Sequence, residues 1–351
     1  MTNGLDWAHM GGGRGRGRVT LRDVALAANV STTTVSDSLN GSGSLPEKTR
    51  QRVRKIALEL GYRPSVAARS LRNGRTGILV ITMLPSDVDV ESFWHVDYFM
   101  RVMAGAAIEA NQSGFFLAVA PAHMQLDVAH DGLIAVDPAK GDELLESARR
   151  RGTPASTVGR TDSAAASWVD NDWAGVVADV LDHLARGGSR RPMLLAPDSP
   201  ASYIHSVERE FTSWCAQRGF AARSARIQGA FNPSVARAAV RDILDSPEPP
   251  DALFVGLDQL ALAAELAAMD LGLRVPQDLM LINLGDGAAV ALAPVPISVV
   301  ELHAEEMGRA AVRMLVDQIE RDADARHEVV PGKLVVRASS RRDDQERVIR
   351  R

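Results

Sequence analysis

Between Thr20 and Asn40 the chain carries a run of short polar side chains: Thr20, then Ser31, Thr32, Thr33, Thr34, Ser36, Asp37 and Asn40. Groups this short keep their hydrogen-bonding atoms close to the backbone. At the start of a helix they can be offered to base edges and phosphate oxygens. Thr32, Thr33 and Ser36 point away from the apolar Val35 and Leu39. On their own they could equally do no more than solvate a helix, so the neighbouring elements decide the matter.

Other chemistry is thinly represented. There is no phosphate-loop lysine motif, no HExxH and no GxSxG, and the GRGRGR run precedes any strand, so it is not a dinucleotide fingerprint. The eight histidines, His183 and His303 among them, show no metal-ligand spacing. The single cysteine, Cys215, reads as a small core residue in a reducing compartment. No enzymatic activity, metal or cofactor is expected.

The elements that would hold the polar run can be read from their caps. Thr20 with Asp23 has capping-box spacing and opens a helix through Ala28, which Asn29 can end in the left-handed conformation. Ser31 is a second N-cap that launches TTTVSDSLN after a short gap, the spacing of a helix-turn-helix. After the turn at 41–44, Pro46 opens a third helix that runs to Leu60, with Val53, Ile56, Ala57 and Leu60 inward and Gly61 as its stop. Three helices around one small core would hold the middle one rigid. The following SVAARSL is too short to be helical alone. It would order only when DNA and a partner chain bury it, with Ala67 and Ala68 permitting close approach and Leu71 as a wedge in the minor groove. A plain interdomain linker is the alternative.

Charge is divided along the chain. Residues 1–75 carry 13 Lys and Arg against 5 acids, a net of +8, so the remainder of a chain of net −4 stands at −12. A basic end on an acidic body suits contact with phosphates while the body keeps off the duplex. At 351 residues, 46% hydrophobic and 24% charged, the chain suits two or three folding units of a soluble protein. No apolar run approaches the roughly 18 residues of a membrane span, and the first residues lack the apolar core of a signal peptide. A cytoplasmic location is expected.

The segments VTLRDVALAANVSTTTVSDSLNG, KTRQRV, LGYRPS and ARSL together resemble the headpiece and hinge of the lactose/galactose repressor family of bacterial transcription regulators. The resemblance implies a homodimer on a palindromic operator, with Thr32, Thr33 and Asp37 at the principal base-reading positions and Ala68 and Leu71 at the minor groove. Thr20, Ser31, Thr34, Ser36 and Asn40 complete the expected DNA-binding set. Asp37 departs from the family, which usually has an arginine there; a carboxylate cannot donate to guanine but can accept from cytosine N4.

From Gly77 apolar runs alternate with helical stretches, the pattern of a parallel α/β body. Strands are expected at 78–84, 115–120, 132–136, 154–158, 192–196, 252–255 and 279–284, and helices at 98–111, 174–186, 207–218, 234–244 and 258–271. DLGLRVPQDLMLINLGD, EEMGRAAVRML and LVVRASS continue the resemblance. It implies a two-lobed, periplasmic-binding-protein-like (type I) domain with an effector cleft, the chain crossing between lobes near Asp170, Val299 and Arg326. The expected organisation is a disordered tail over 1–18, a headpiece over 19–63, a hinge over 64–75, the two-lobed domain over 76–340 and a disordered tail over 341–351.

Where sugar-responsive members carry polar ligands, this chain has Val207, Leu257 and Gly285. An unpaired buried hydroxyl costs about 1–3 kcal/mol, so three losses disfavour an ordinary monosaccharide. Tyr98 and Phe99 match the pair that faces the ligand in purine-responsive members, and Phe231 matches a stacking position. The expected effector is flatter or more apolar than a sugar, held by Tyr98, Phe99 and Phe231 with Asp170, Trp173, Asp258 and Asp286 nearby. These aromatics serving only as core packing is the alternative. The resulting expectation is a sequence-specific DNA-binding regulator, a repressor, set against a ligand-binding or scaffold protein whose headpiece has lost DNA.

Overall fold

The computed structural model describes residues 19–40, 43–62, 75–83, 96–121 and 128–342. These fall into two compact units divided between Thr76 and Gly77. Of the terminal tails expected over 1–18 and 341–351, all but Arg341 and Arg342 lie outside the described residues, as do the hinge residues Ala68 and Leu71.

The first unit is built of α1 (Leu21–Ala28), α2 (Thr32–Asn40) and α3 (Glu47–Glu59). Val24, Val35 and Val53, one from each helix, are fully enclosed, with Ala25, Ala28 and Ala57 filling in around them. Small residues at these positions let short helices approach closely enough to share so small a core. The ends follow the expected chemistry. Thr20 and Asp23 form a reciprocal capping box, and Asn29 closes α1 at φ 52°. Gly61, at φ 68°, follows the last turn of α3. Two arginines of α3 fasten the far end of α2: Arg54 Nε donates to Ser38 O at 3.0 Å and Arg50 Nη2 to Gly43 O at 3.3 Å.

The second unit contains two sheets of six strands among the described residues. In the first lobe β1 (Ile78–Met83), α4 (Asp97–Gln112), β2 (Phe116–Pro121), β3 (Gly132–Val136), α5 (Glu143–Arg151), β4 (Ala155–Val158) and β5 (Ala166–Asn171) follow one another. In the second lobe come α6 (Trp173–Arg186), β6 (Pro192–Pro197), α7 (Ser202–Arg218), β7 (Arg223–Ile227), α8 (Pro233–Leu244), β8 (Ala252–Val255), α9 (Asp258–Asp270), β9 (Met280–Leu284), α10 (Ala288–Ala291) and β10 (Ser298–Glu301). The chain then returns to the first lobe for α11 (Ala304–Arg321) and β11 (His327–Val330), and crosses again for β12 (Lys333–Val335). The strand orders are β11-β5-β4-β3-β1-β2 and β12-β10-β9-β8-β6-β7, parallel except for β12 against β10.

Strands covered on both faces read as unbroken apolar runs, which is why β3 (GLIAV) and β8 (ALFV) are buried throughout and were legible. The third lobe crossing differs from the expected place. Arg326 precedes β11, which pairs with β5 of the first sheet, so the chain crosses only at Pro331 and Gly332. The second crossing lies at Leu302 and His303, just beyond β10 and close to the expected Val299. Arg342 Nε donates to Pro276 O at 2.7 Å, two residues beyond the expected end of the domain.

One side chain ties all three crossings. Asn171, at the end of β5, donates from Nδ2 to Leu302 O and to Val330 O, each at 3.2 Å. Beside it the first lobe is closed by α4 and α11, whose backbones touch at two glycines. A Cβ on Gly105 would collide with the Glu305 carbonyl, and one on Gly308 with the Val102 carbonyl. Around this contact Val102, Ala106, Ala110, Met307, Ala310 and Ala311 are buried against β1 and β3.

Candidate DNA-reading face and effector cleft

In the first unit α2 starts where Ser31 caps it. The Thr34 amide donates to Ser31 Oγ at 3.0 Å, and the two hydroxyls lie 2.9 Å apart. Ser31 and Thr34 are thereby turned toward each other, while Thr32 and Thr33 stand exposed at the helix start. The hydroxyl of Thr20 is likewise engaged, donating to Asp23 Oδ2 at 2.7 Å. Ser36 and Asp37 are half-buried. Gly43, at φ 72°, brings the turn after α2 so close to Asp37 that a Cβ there would lie 3.0 Å from Oδ2. Asn40 is the last residue of α2. The expected set therefore divides into cap residues that shape the helix and, at its start, hydroxyls left open to solvent. Exposed Arg22, Lys48, Arg52 and Lys55 surround these elements with positive charge.

The second unit has a cleft of about 870 Å3 of empty space, mouth included, between its lobes. Its walls come from the carboxyl ends of the strands: Asp137 after β3, Ser199 after β6, Leu257 and Asp258 after β8, and Gly285 to Gly287 after β9. Ligands of open α/β sheets bind in this position, because the strands end there and the following helices begin. Tyr98 and Phe99 enter from the first turn of α4, Trp173 from the start of α6, and Phe231 from the loop before α8.

Six of the seven expected effector residues line this cleft: Tyr98, Phe99, Trp173, Phe231, Asp258 and Asp286. Asp170 does not. It is buried behind Trp173, accepting from the indole Nε1 at 2.8 Å and from Arg160 Nε at 2.9 Å. Burial raises its carboxyl above the usual range against the pull of those bonds. Val207 is also away from the cleft, buried with Trp173, Leu181 and Phe211 in the second-lobe core. Of the two replaced positions that do face the cleft, Leu257 contributes an apolar wall and Gly285 sits at φ 114°, a conformation L side chains rarely adopt. A polar ligand at Gly285 is thus excluded by the backbone as well as by the residue type.

Two wall residues, Tyr203 and Asp137, and Arg101, the partner of a third, were missed from the sequence. Tyr203 lies in the first turn of α7, which starts five residues before the expected 207, and its hydroxyl donates to Gly256 O at 3.2 Å. The spacing of Tyr203, Ile204, Val207 and Phe211 would have signalled the longer helix. Arg101 pairs with Asp286 at 2.5 Å across the lobes and neutralises it. Asp137 stands at φ 48° with no hydrogen bond to its carboxyl among the described residues, and burial, then the nearby Asp170, pushes it up to about 8. Asp258 accepts from Asn283 Nδ2 at 2.5 Å, yet burial and the carboxylates of Asp97 and Asp286 still push it up to about 6.

Comparison with known proteins agrees with both units. The family description "Bacterial regulatory proteins, lacI family" matches residues 20–65, and "Periplasmic binding protein-like domain" matches residues 181–340. The chain belongs to the lacI family. It is a DNA-binding transcription regulator with a two-lobed body, and the family's members are regulators rather than enzymes. Among its relatives, the HTH-type transcriptional regulator CelR of Thermobifida fusca is 27% identical over 87% of this chain and 93% of its own length. The transcriptional repressor PurR of Klebsiella pneumoniae subsp. pneumoniae is 29% identical over 91% of this chain and 96% of its own. The fold matches a lac repressor dimer bound to operator and the anti-inducer ONPF at TM-score 0.79 and 22% identity, covering 92% of this chain and 99% of that one. A CelR–cellobiose complex matches at TM-score 0.66 and 24% identity, covering 92% and 100%.

Proposed function

We propose that the protein is a homodimeric repressor that reads a palindromic operator through the start of α2 and answers to a small molecule held between its lobes. The observation that carries the DNA half is the division of labour along α2: Ser31 and Thr34 form the cap, leaving Thr32 and Thr33 exposed at the end of the helix that helix-turn-helix proteins put into the major groove. Thr32, Thr33 and Asp37 read bases; Thr20, Ser31, Ser36 and Asn40 position the headpiece on the backbone; Ala68 and Leu71 serve the minor groove. Asp37 accepts from cytosine N4 where an arginine would have required guanine. Dimerisation brings two copies onto two half-sites, in keeping with the lac repressor dimer whose fold this chain shares.

The cleft supplies the control. A ligand that binds one arrangement of the lobes better than another shifts the population in which paired hinges are ordered on DNA. Aromatic walls at Tyr98, Phe99, Trp173 and Phe231 favour a body flatter or more apolar than a hexose. CelR, a relative, is known in complex with cellobiose, but the polar ligands of sugar-responsive members are replaced here at Leu257 and Gly285. Selection from random duplexes with the intact protein tests the reading. Recovery of a two-fold symmetric site, with the preferred bases changed by Thr33→Ala or Asp37→Asn, is expected. Recovery of no preferred sequence would refute it.

A further inference from the structure

The cleft is rich in acceptors and poor in donors. Among the described wall residues there is no lysine, arginine or histidine, whereas Asp137, Asp258 and Asp286 all face it. The wall donors are largely spent inside the protein: Tyr203 on Gly256 O, the Trp173 indole on Asp170, and the Tyr98 hydroxyl on Met307 Sδ at 3.9 Å. Of the three carboxyls, Asp286 is answered by Arg101 and Asp258 has one bond from Asn283, but Asp137 has no hydrogen-bond donor among the described residues. Around them stand the rings of Tyr98, Phe99, Trp173, Tyr203 and Phe231. Tyr98 and Phe99 meet edge to face at 5.6 Å, and Trp173 and Tyr203 lie 6.3 Å apart.

A ligand complementary to such walls must bring its own donors and positive charge. An anion would gain no cation from the described wall residues, and a neutral polyol would find few donors there for its oxygens. Resting on the reading of this cleft as the effector site, we propose that its ligand is a protonated amine on a flat or apolar body, the ammonium received by Asp137 and Asp258 and the body held among the aromatic rings. Cations are attracted to the faces of such rings as well as to carboxylates. Because Asp137 belongs to the first lobe and Asp258 to the second, a cation between them draws the lobes together.

The cleft is prepared for this exchange. With its carboxyl pushed up to about 8, Asp137 holds a proton at neutral pH, and the bound ammonium takes the place of that proton. The groups facing it are Tyr98 of α4, Tyr203 of α7 and Asp170 of β5, the last bonded to Arg160; Asp258 faces Asn283, Asp97, Asp286 and Tyr203. Amine affinity therefore rises toward pH 8 as Asp137 loses the competing proton.

The test is calorimetry on the full chain with phenethylamine and tryptamine, against the neutral phenethyl alcohol, glucose and adenine. Asp137→Asn is the informative variant, since asparagine tolerates the left-handed backbone at this position and keeps the side-chain shape. The amines are expected to bind at least about tenfold more tightly than phenethyl alcohol, corresponding to about 1.4 kcal/mol. They should release protons, seen as a binding heat that depends on the buffer, and Asp137→Asn should cost them at least about tenfold while leaving the alcohol within about twofold. Equal binding of amine and alcohol, or amine binding unchanged by Asp137→Asn, overturns the proposal. If a neutral compound binds and Phe231→Ala abolishes it, the cation assignment fails while the effector cleft stands. If no compound binds, both fail.

Discussion

Replacing Asn171 by alanine should loosen the body at the point where the lobes are joined. Its Nδ2 is the sole hydrogen-bond donor to Leu302 O among the described residues, whereas Val330 O keeps a second bond from the Asp172 amide at 3.0 Å. Losing the amide therefore orphans one buried carbonyl, at about 1–3 kcal/mol, and weakens another by about 0.5–1.5 kcal/mol. Against this, the Asn171 Oδ1 has no partner among the described residues, so its removal returns about 1 kcal/mol. The net expectation is a loss of about 2 kcal/mol. At roughly 2 °C per kcal/mol for a domain of this size, scanning calorimetry should record a fall in Tm of about 4 °C. Asn171→Asp should be worse at neutral pH, because a carboxylate would face two carbonyl oxygens and donate to neither. A fall of less than about 1 °C for alanine, or an aspartate variant as stable as the parent, would show that the three crossings are held by something other than this amide.

Other perturbations test separate parts of the account. Thr20→Ala removes the hydroxyl half of the capping box, leaving the backbone N–H of residue 20 on Asp23, and should cost α1 about 1 kcal/mol, read as roughly fivefold faster amide exchange over Leu21–Ala28 in the intact chain. Gly308→Ala drives a methyl into the Val102 carbonyl and should destabilise the first lobe by about 1–3 kcal/mol in denaturant titration; a neutral effect would mean that α4 and α11 are free to part. The pH dependence of stability follows from Asp137. With an ordinary carboxyl in the unfolded chain and one pushed up to about 8 in the fold, the native state keeps a proton the unfolded state has lost, so stability falls as pH rises from about 4 to 8 and then levels. Asp137→Asn should remove that slope and raise Tm more at pH 9 than at pH 5. Leu71→Ala should weaken operator binding far more than binding to random duplex in titrations of both; equal losses would make Leu71 a linker residue.

The headpiece was the most legible part because its signals are local. Thr20 with Asp23, Asn29, Ser31 and Gly61 each act within a few residues, and each sits in the structure where its spacing puts it. Strands buried on both faces were equally visible, since nothing polar interrupts β3 or β8. Elements with only one covered side were lost. The helix α5 buries only Leu145 and Ala148 among charged neighbours, and β7 carries Arg223 and Arg226 at the sheet edge. The cleft was partly legible through its aromatics. Asp137 was not, because a single aspartate after an apolar strand looks like a turn residue until the opposite lobe is in place. Asp170 was misplaced for the complementary reason: it adjoins Trp173 in sequence, and only the packing shows that it supports the ring from behind.

The threefold crossing also governs the order in which the chain can be made into a protein. The first lobe begins at Gly77 but takes Met307, Ala310, Ala311 and Leu315 of its core from α11 and its edge strand from β11. During synthesis, that lobe must wait with β1 to β5 assembled around a missing wall until more than a hundred further residues have emerged. The second lobe waits for β12 and for Ser339, whose hydroxyl donates to Leu281 O at 2.6 Å. Both lobes are thus completed within a few residues of each other, so a nascent chain halted near residue 300 has finished neither, and an intact body certifies that translation reached its last strands.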